Sequence, residues 1–276
     1  MTAKLVLLYS ALCGLWGVSS AAATAPRPNV FDWDSIRYMY AFGDSYTFVQ
    51  GTVGHANFSF IGDALDLSFT PKQLLNNQII PKNIEFLTGC MGGSPSRCSK
   101  QLWNFAFAGS DIDGALLPLH HNFTIPLVDQ VNQWQKAHDN GLKTHLFINV
   151  PAEDRSPGNV GNPVQSAKMK THLDEFNTIL ANHIASFKTA NAGKPTSFLG
   201  SLCCNIIADA TIMTFDSNAW FNMVLDSPSE FGFTNVTGFC TCADPAGFFW
   251  YNTGHPTERV HKLLAGAIEA QLRNCE

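Results

Sequence analysis

Ser45 sits in Gly43-Asp44-Ser45-Tyr46, directly after the apolar stretch Ile36 to Phe42, and His255 lies far downstream in Trp250-Tyr251-Asn252-Thr253-Gly254-His255-Pro256-Thr257. A hydroxyl is a poor nucleophile at neutral pH, and a histidine that takes its proton is the commonest remedy. The two residue types together point to acyl transfer. Read singly, each has a plainer use: Ser45 could cap a helix, and His255 could be a pocket wall hydrogen-bonded through its ring.

The elements that must bring them together can be read from length and periodicity. Ile36 to Phe42 has the length and β-rich content of a buried strand, and Ser45 falls just past its end. His145 to Val150 is a second buried strand, stopped by Pro151, and Met213 to Phe215 a further short one. Between them, Val128 to Gln135 carries Val128, Val131 and Trp134 at helical spacing, and Met169 to Phe187 places Leu173, Phe176, Leu180, Ile184 and Phe187 three or four apart. Ala219 to Leu225 reads as another helix, and Val260 to Leu272 as a terminal one with Leu263, Leu264 and Ile268 inward. Strands alternating with helices imply a parallel sheet covered on both faces, and reacting groups in such sheets gather beyond the carboxyl ends of the strands. Ser45 is expected there.

Composition narrows the class. The 276 residues carry a net charge of -5 with only 14% charged side chains, so nothing resembles the basic footprint of a nucleic-acid binder. Residues 1–25 hold a single lysine, Lys4, then an apolar run from Leu5 to Val18, then Ser19-Ser20-Ala21-Ala22-Ala23-Thr24-Ala25. That is the layout of a secretory signal, and the run is shorter than the ~20 residues that span a bilayer. We therefore expect a signal peptide at 1–23, one catalytic domain at 24–276, a secreted product and no stable membrane association. Asn57-Phe58-Ser59, Asn122-Phe123-Thr124 and Asn235-Val236-Thr237 match the glycosylation pattern that secretion would use. Seven cysteines remain after Cys13 leaves with the signal, an odd number in an oxidising compartment. Cys90 and Cys98 bracket a flexible loop that a disulfide could pin, whereas Cys240-Thr241-Cys242 lacks both the spacing and the second ligand pair of a metal site, so structural disulfides are expected.

The Gly43-Asp44-Ser45 block, Asn104-Phe105-Ala106-Phe107-Ala108-Gly109 and His255-Pro256-Thr257 resemble the secreted fungal GDSL esterases of the SGNH hydrolase superfamily, nearest to carbohydrate esterase family 16, the acetylesterases. The similarity runs from about Phe31 to the end, with Asn149-Val150-Pro151 to Pro157 and Ser227-Pro228 to Gly238 in order. The resemblance implies a three-layer α/β/α fold with a parallel, flavodoxin-like sheet. It makes Ser45 the nucleophile, His255 the base, and the backbone N–H groups of Ser45 and Gly109 the oxyanion donors, without any cofactor or metal. It also implies a small ester or acetylated oligosaccharide as substrate, with a lipase for longer acyl esters or a catalytically weak glycan-binding protein as the alternatives, and we expect a monomer. Phe248, Phe249, Trp250 and Tyr251 approach His255, with core packing the default for most of them.

Two departures touch the chemistry. The family's aspartate three residues before the histidine is Asn252 here, an amide that can hold the imidazole but supports the imidazolium less. Between Gln135 and Leu142 the family's strand ending in Gly-x-Asn-Asp, source of a third oxyanion donor, is missing, which predicts a sheet lacking one core strand. Asn149 and Asn140 are not nominated as its replacement. A third oddity is Lys194 to Ala208, which interrupts a helix-to-strand link where the family has a short turn: it reads either as a retained intron, since Gly193-Lys194 and Ala208-Asp209 can be encoded with intron-like boundaries, or as a surface loop carrying Cys203-Cys204.

Overall fold

A computed structural model describes residues 31–48, 83–91, 95–120, 124–191, 204–207 (backbone only) and 210–275. The signal sequence, the Asn57 and Asn122 triplets' asparagines, and the side chains of Cys203 and Cys204 lie outside the described residues.

Strand β1 (Tyr38–Ala41) pairs in parallel with β2 (Gln101–Asn104), Tyr38 opposite Gln101 and Ala41 opposite Asn104. The ladder continues beyond both strands, because Phe105 N–H donates to Ala41 O at 2.7 Å and Phe107 N–H to Gly43 O at 2.9 Å. Residues 105–107 are thus laced to the chain that leads into Ser45. Between these strands lies the short helix α1 (Asn83–Thr88). After β2 come α2 (Leu127–Asp139) and β3 (Thr144–Ile148), then the single turn α3 (Pro157–Val160) and the long α4 (Pro163–Ala190). Pro163 suits the first turn of α4, where its missing N–H costs nothing, and Asn162 caps it by accepting from the Val164 and Gln165 N–H groups.

Strand β5 (Ala210–Phe215) runs parallel to β3, Thr144 opposite Thr211 and Ile148 opposite Phe215, and antiparallel to β4 (Cys204–Ile207). Part of the 194–208 stretch therefore forms an edge strand. The remaining elements are α5 (Ser217–Asp226), the parallel pair β6 (Asn235–Phe239) and β7 (Phe248–Trp250), and α6 (Glu258–Arg273). The Asp216 side chain caps α5 through the Ala219 N–H at 2.9 Å.

Alternation along β5 sorts its side chains between two cores. Met213 and Phe215 join a large cluster with Phe221, Val224, Phe249, Trp250, Leu264 and Ile268, while Ala210 and Ile212 pack with Leu180, Ile184 and Phe187 of α4. Helices therefore cover both faces of the β3–β5 pair, as parallel strands require. Phe249 and Trp250, fully buried, are core residues as expected. The fold is mixed α/β, and its hydrogen-bonded strands fall into three separate sheets among the described residues. Within them β1 and β3 are not paired to one another, and the chain between Gln135 and Leu142 is the end of α2 and a turn, not a strand.

One sequence expectation is corrected in α2. The helix forms where periodicity places it, but Val128 and Val131 are exposed and the buried residues are Gln130 and His138. Trp134 packs edge-on to Phe187, and its indole N–H donates to His145 Nδ1 at 3.2 Å. The helix turns a polar face inward because polar groups wait there: the backbone of Gly43 for Gln130, and the His145 ring, 3.1 Å away, for His138.

Candidate active site

Ser45 follows the carboxyl end of β1, and His255 lies in the loop between β7 and α6. The turn after β1 is built by Gly43, whose φ of 146° strains any residue with a Cβ, and by Asp44, whose carboxylate accepts the Tyr46 N–H at 2.8 Å while its carbonyl accepts those of Thr47 and Phe48. Asp44 braces the turn. On the opposite side, an isolated bridge pairs Trp250 with Pro256, and Tyr251 N–H donates to His255 O, closing the loop that presents the imidazole.

The two side chains meet. Ser45 Oγ lies 2.8 Å from His255 Nε2, and His255 Nδ1 lies 3.0 Å from Asn252 Oδ1. The same Asn252 oxygen accepts the backbone N–H groups of Gly254 at 3.0 Å and His255 at 2.8 Å. With its oxygen fixed by two backbone donors, the amide can only accept from the ring, so Nδ1 carries the proton and Nε2 is left to receive that of the serine. Both Ser45 and His255 are half-buried, so the pair is reachable from solvent.

Gly109 has a φ of 73° and sits two residues beyond Phe107, which is bonded to Gly43. A Cβ there would come within 2.8 Å of the His120 ring. Among the described residues neither the Ser45 nor the Gly109 backbone N–H makes a hydrogen bond. Both are therefore available to an incoming oxygen.

Asn149 and Asn140 are engaged elsewhere. The Asn149 amide donates to Asp216 at 2.8 Å and its oxygen accepts from Ser217 and Asn218, tying β3 to α5, while Asn140 donates to Lys136 O.

Tyr46 and Glu153 were not singled out from sequence, since a tyrosine beside a serine and a glutamate after Pro151-Ala152 carry no spacing signal. Tyr46 lays its ring 5.6 Å from that of His255 and donates its hydroxyl to Gly254 O at 2.5 Å. Its phenol is pushed well above the usual value by burial, then by the charges of Glu153 and Asp44. Glu153 occupies a 3-10 turn after β3, and burial followed by Asp44 raises its carboxyl to about 7. The same segment is joined to the histidine loop by the Gly158 N–H, which donates to Thr253 O at 2.8 Å. Among the described residues no group of three or more His, Cys, Asp and Glu is placed to hold a metal ion.

Two disulfides join Cys90 to Cys98 and Cys240 to Cys242, and Cys275 is disulfide-bonded as well. The first is the expected bridge; the second makes the Cys-Thr-Cys run structural.

No protein-family model matches the chain. It is 25% identical over 138 residues to an acetylesterase of Thermothelomyces thermophilus. This likeness supports an esterase relationship. The aligned stretch makes up 49% of this chain and 40% of the acetylesterase, so the chain spans less than half the length of that relative.

Proposed function

We propose that this chain is a secreted serine esterase of the SGNH type that hydrolyses small acyl esters, acetyl esters of carbohydrates first among them, through an acyl-enzyme. The observation that carries the reading is the Asn252–His255–Ser45 relay, with 3.0 Å and 2.8 Å links in series. Ser45 Oγ attacks the ester carbonyl carbon while His255 Nε2 takes its proton; the oxyanion that forms is received by the N–H groups of Ser45 and Gly109. Collapse breaks the bond to the alcohol, which leaves with the proton from Nε2, and water then repeats the sequence on the acyl group. Each oxyanion donor contributes about 3 kcal/mol to such a transition state, so two without a third make a slower enzyme than three.

The helices on both faces of β3–β5 support the three-layer, flavodoxin-like arrangement, and the lack of pairing between β1 and β3 among the described residues is what a sheet without its central strand would leave. Secretion is supported by the disulfides, which persist in oxidising compartments, and by the signal-like leader. No helix among the described residues is long and apolar enough to cross a membrane.

The test is release of 4-nitrophenol from 4-nitrophenyl acetate and of acetate from acetylated xylo-oligosaccharides, each compared with Ser45→Ala. We expect the variant to fall to the uncatalysed rate on both; equal rates for wild type and variant would overturn the reading in favour of a glycan-binding protein. A second reading, a lipase for longer acyl esters, draws on Ile112, Leu116 and Leu117, which stand exposed in the segment following Gly109. A preference for octanoate over acetate esters would select it.

A further inference from the structure

Gln130 is fully buried, and every bond its amide makes goes to the two loops that carry the oxyanion donors or to the segment between them and α2. Its Oε1 accepts the Gly43 N–H at 2.7 Å, and its Nε2 donates to Gly43 O at 2.9 Å, to Ser110 Oγ at 2.9 Å and, more loosely, to Ile125 O at 3.3 Å. The Ser110 hydroxyl donates in turn to Ile125 O at 2.9 Å. Gly43 lies two residues before Ser45, and Ser110 directly follows Gly109. One side-chain amide thus engages both backbone polar groups of Gly43, on the way into the nucleophile, and the residue adjoining the second donor.

A primary amide that both accepts from and donates to one residue's backbone reproduces the pair of bonds a neighbouring strand would make. A side chain held by four hydrogen bonds in a dry site has no alternative rotamer of similar energy, so it transmits a fixed spacing rather than a range.

We infer that Gln130 is the positioning residue of the oxyanion site, a strut that sets the separation between the Ser45 and Gly109 N–H groups. The inference rests on the esterase reading and adds a residue to it. Gln130 touches neither substrate nor the reacting atoms. Its contribution is therefore felt where the oxygen becomes tetrahedral and charged, not where the ester first binds. Loss of the strut lets the two donors drift relative to each other, which weakens charge stabilisation in the transition state and leaves ground-state binding nearly as it was.

The experiment compares wild type, Gln130→Met, Ser110→Ala and Ser45→Ala on 4-nitrophenyl acetate, with urea unfolding and inhibition by phenylboronic acid, a tetrahedral adduct-former, measured on the same preparations. For Gln130→Met we expect kcat to fall about 30- to 100-fold with KM within twofold, and boronate affinity to fall in parallel with kcat. Ser110→Ala removes one arm of the strut and leaves the rest; kcat should fall at least about threefold with KM unchanged. A folded Gln130→Met with kcat within twofold of wild type overturns the inference, as does a loss confined to KM. If Gln130→Met does not fold, Ser110→Ala decides: unchanged kcat and boronate affinity overturn it. Failure of the esterase reading is separate and visible, since wild type would then match Ser45→Ala whatever Gln130 does.

Discussion

Asn252 Oδ1 accepts three N–H groups at once, two from the backbone at Gly254 and His255 and one from His255 Nδ1. A carboxylate in the same place would keep all three bonds and add charge beside the ring that becomes cationic. In a serine triad the reverse change costs about 10⁴ because the amide selects the wrong tautomer, whereas here the oxygen already faces the ring. We expect Asn252→Asp to raise kcat/KM by about ten- to a hundredfold, read from 4-nitrophenyl acetate kinetics. A variant no faster than wild type would mean that imidazolium support does not limit the rate.

Gly109 combines a left-handed backbone with the His120 ring where a Cβ would go. Gly109→Ala should lose about 1–3 kcal/mol of stability and at least tenfold in kcat. Urea unfolding and turnover on one preparation check both; an alanine that leaves the two unchanged contradicts the geometry.

His145, buried against Trp134 and Phe187, is held down to about 4 by burial first and by the facing His138 second. The unfolded chain, with a histidine near 6.5, takes up its proton before the folded one does. Stability present above about 6.5 should therefore drain away as pH falls toward 4, by up to about 3 kcal/mol. The check is urea unfolding at pH 7.5 and 4.5: His145→Gln, which keeps an acceptor for Trp134, should flatten the difference, and an equal slope in both proteins would assign acid sensitivity elsewhere.

Glu153 behaves in the opposite sense. Its folded carboxyl at about 7 lies above the ordinary 4.5, so folding favours the protonated form. Stability is full below about 4.5 and is lost as pH rises through 7. Glu153→Gln should thus gain about 1–3 kcal/mol at pH 8 and almost nothing at pH 4.5. Melting curves at the two pH values test this, and a gain of the same size at both would show that the charge is not its source.

Ser45 and His255 could be paired from residue types and order alone, because only a few kinds of side chain perform acyl transfer and apolar runs mark where strands must end. The long helix at 163–190 and the terminal helix at 258–273 were equally legible: Leu173, Ile184, Leu264 and Ile268 repeat at helical spacing and are buried. The strands at 101–104, 235–239 and 248–250 carry no such pattern, being only three to five residues long. In α2 the pattern pointed the wrong way. Valines at 128 and 131 announce an apolar face, yet the buried residues are Gln130 and His138. Periodicity reports which side chains leave water readily; it does not report which backbone groups elsewhere in the chain need partners. The sequence by itself determined the chemistry on offer and the elements that carry it. Only the tertiary structure decided that a buried glutamine grips the backbone of Gly43 and that Tyr46 donates its hydroxyl to Gly254 in the histidine loop, since each of these rests on a hydrogen bond between residues far apart in the chain.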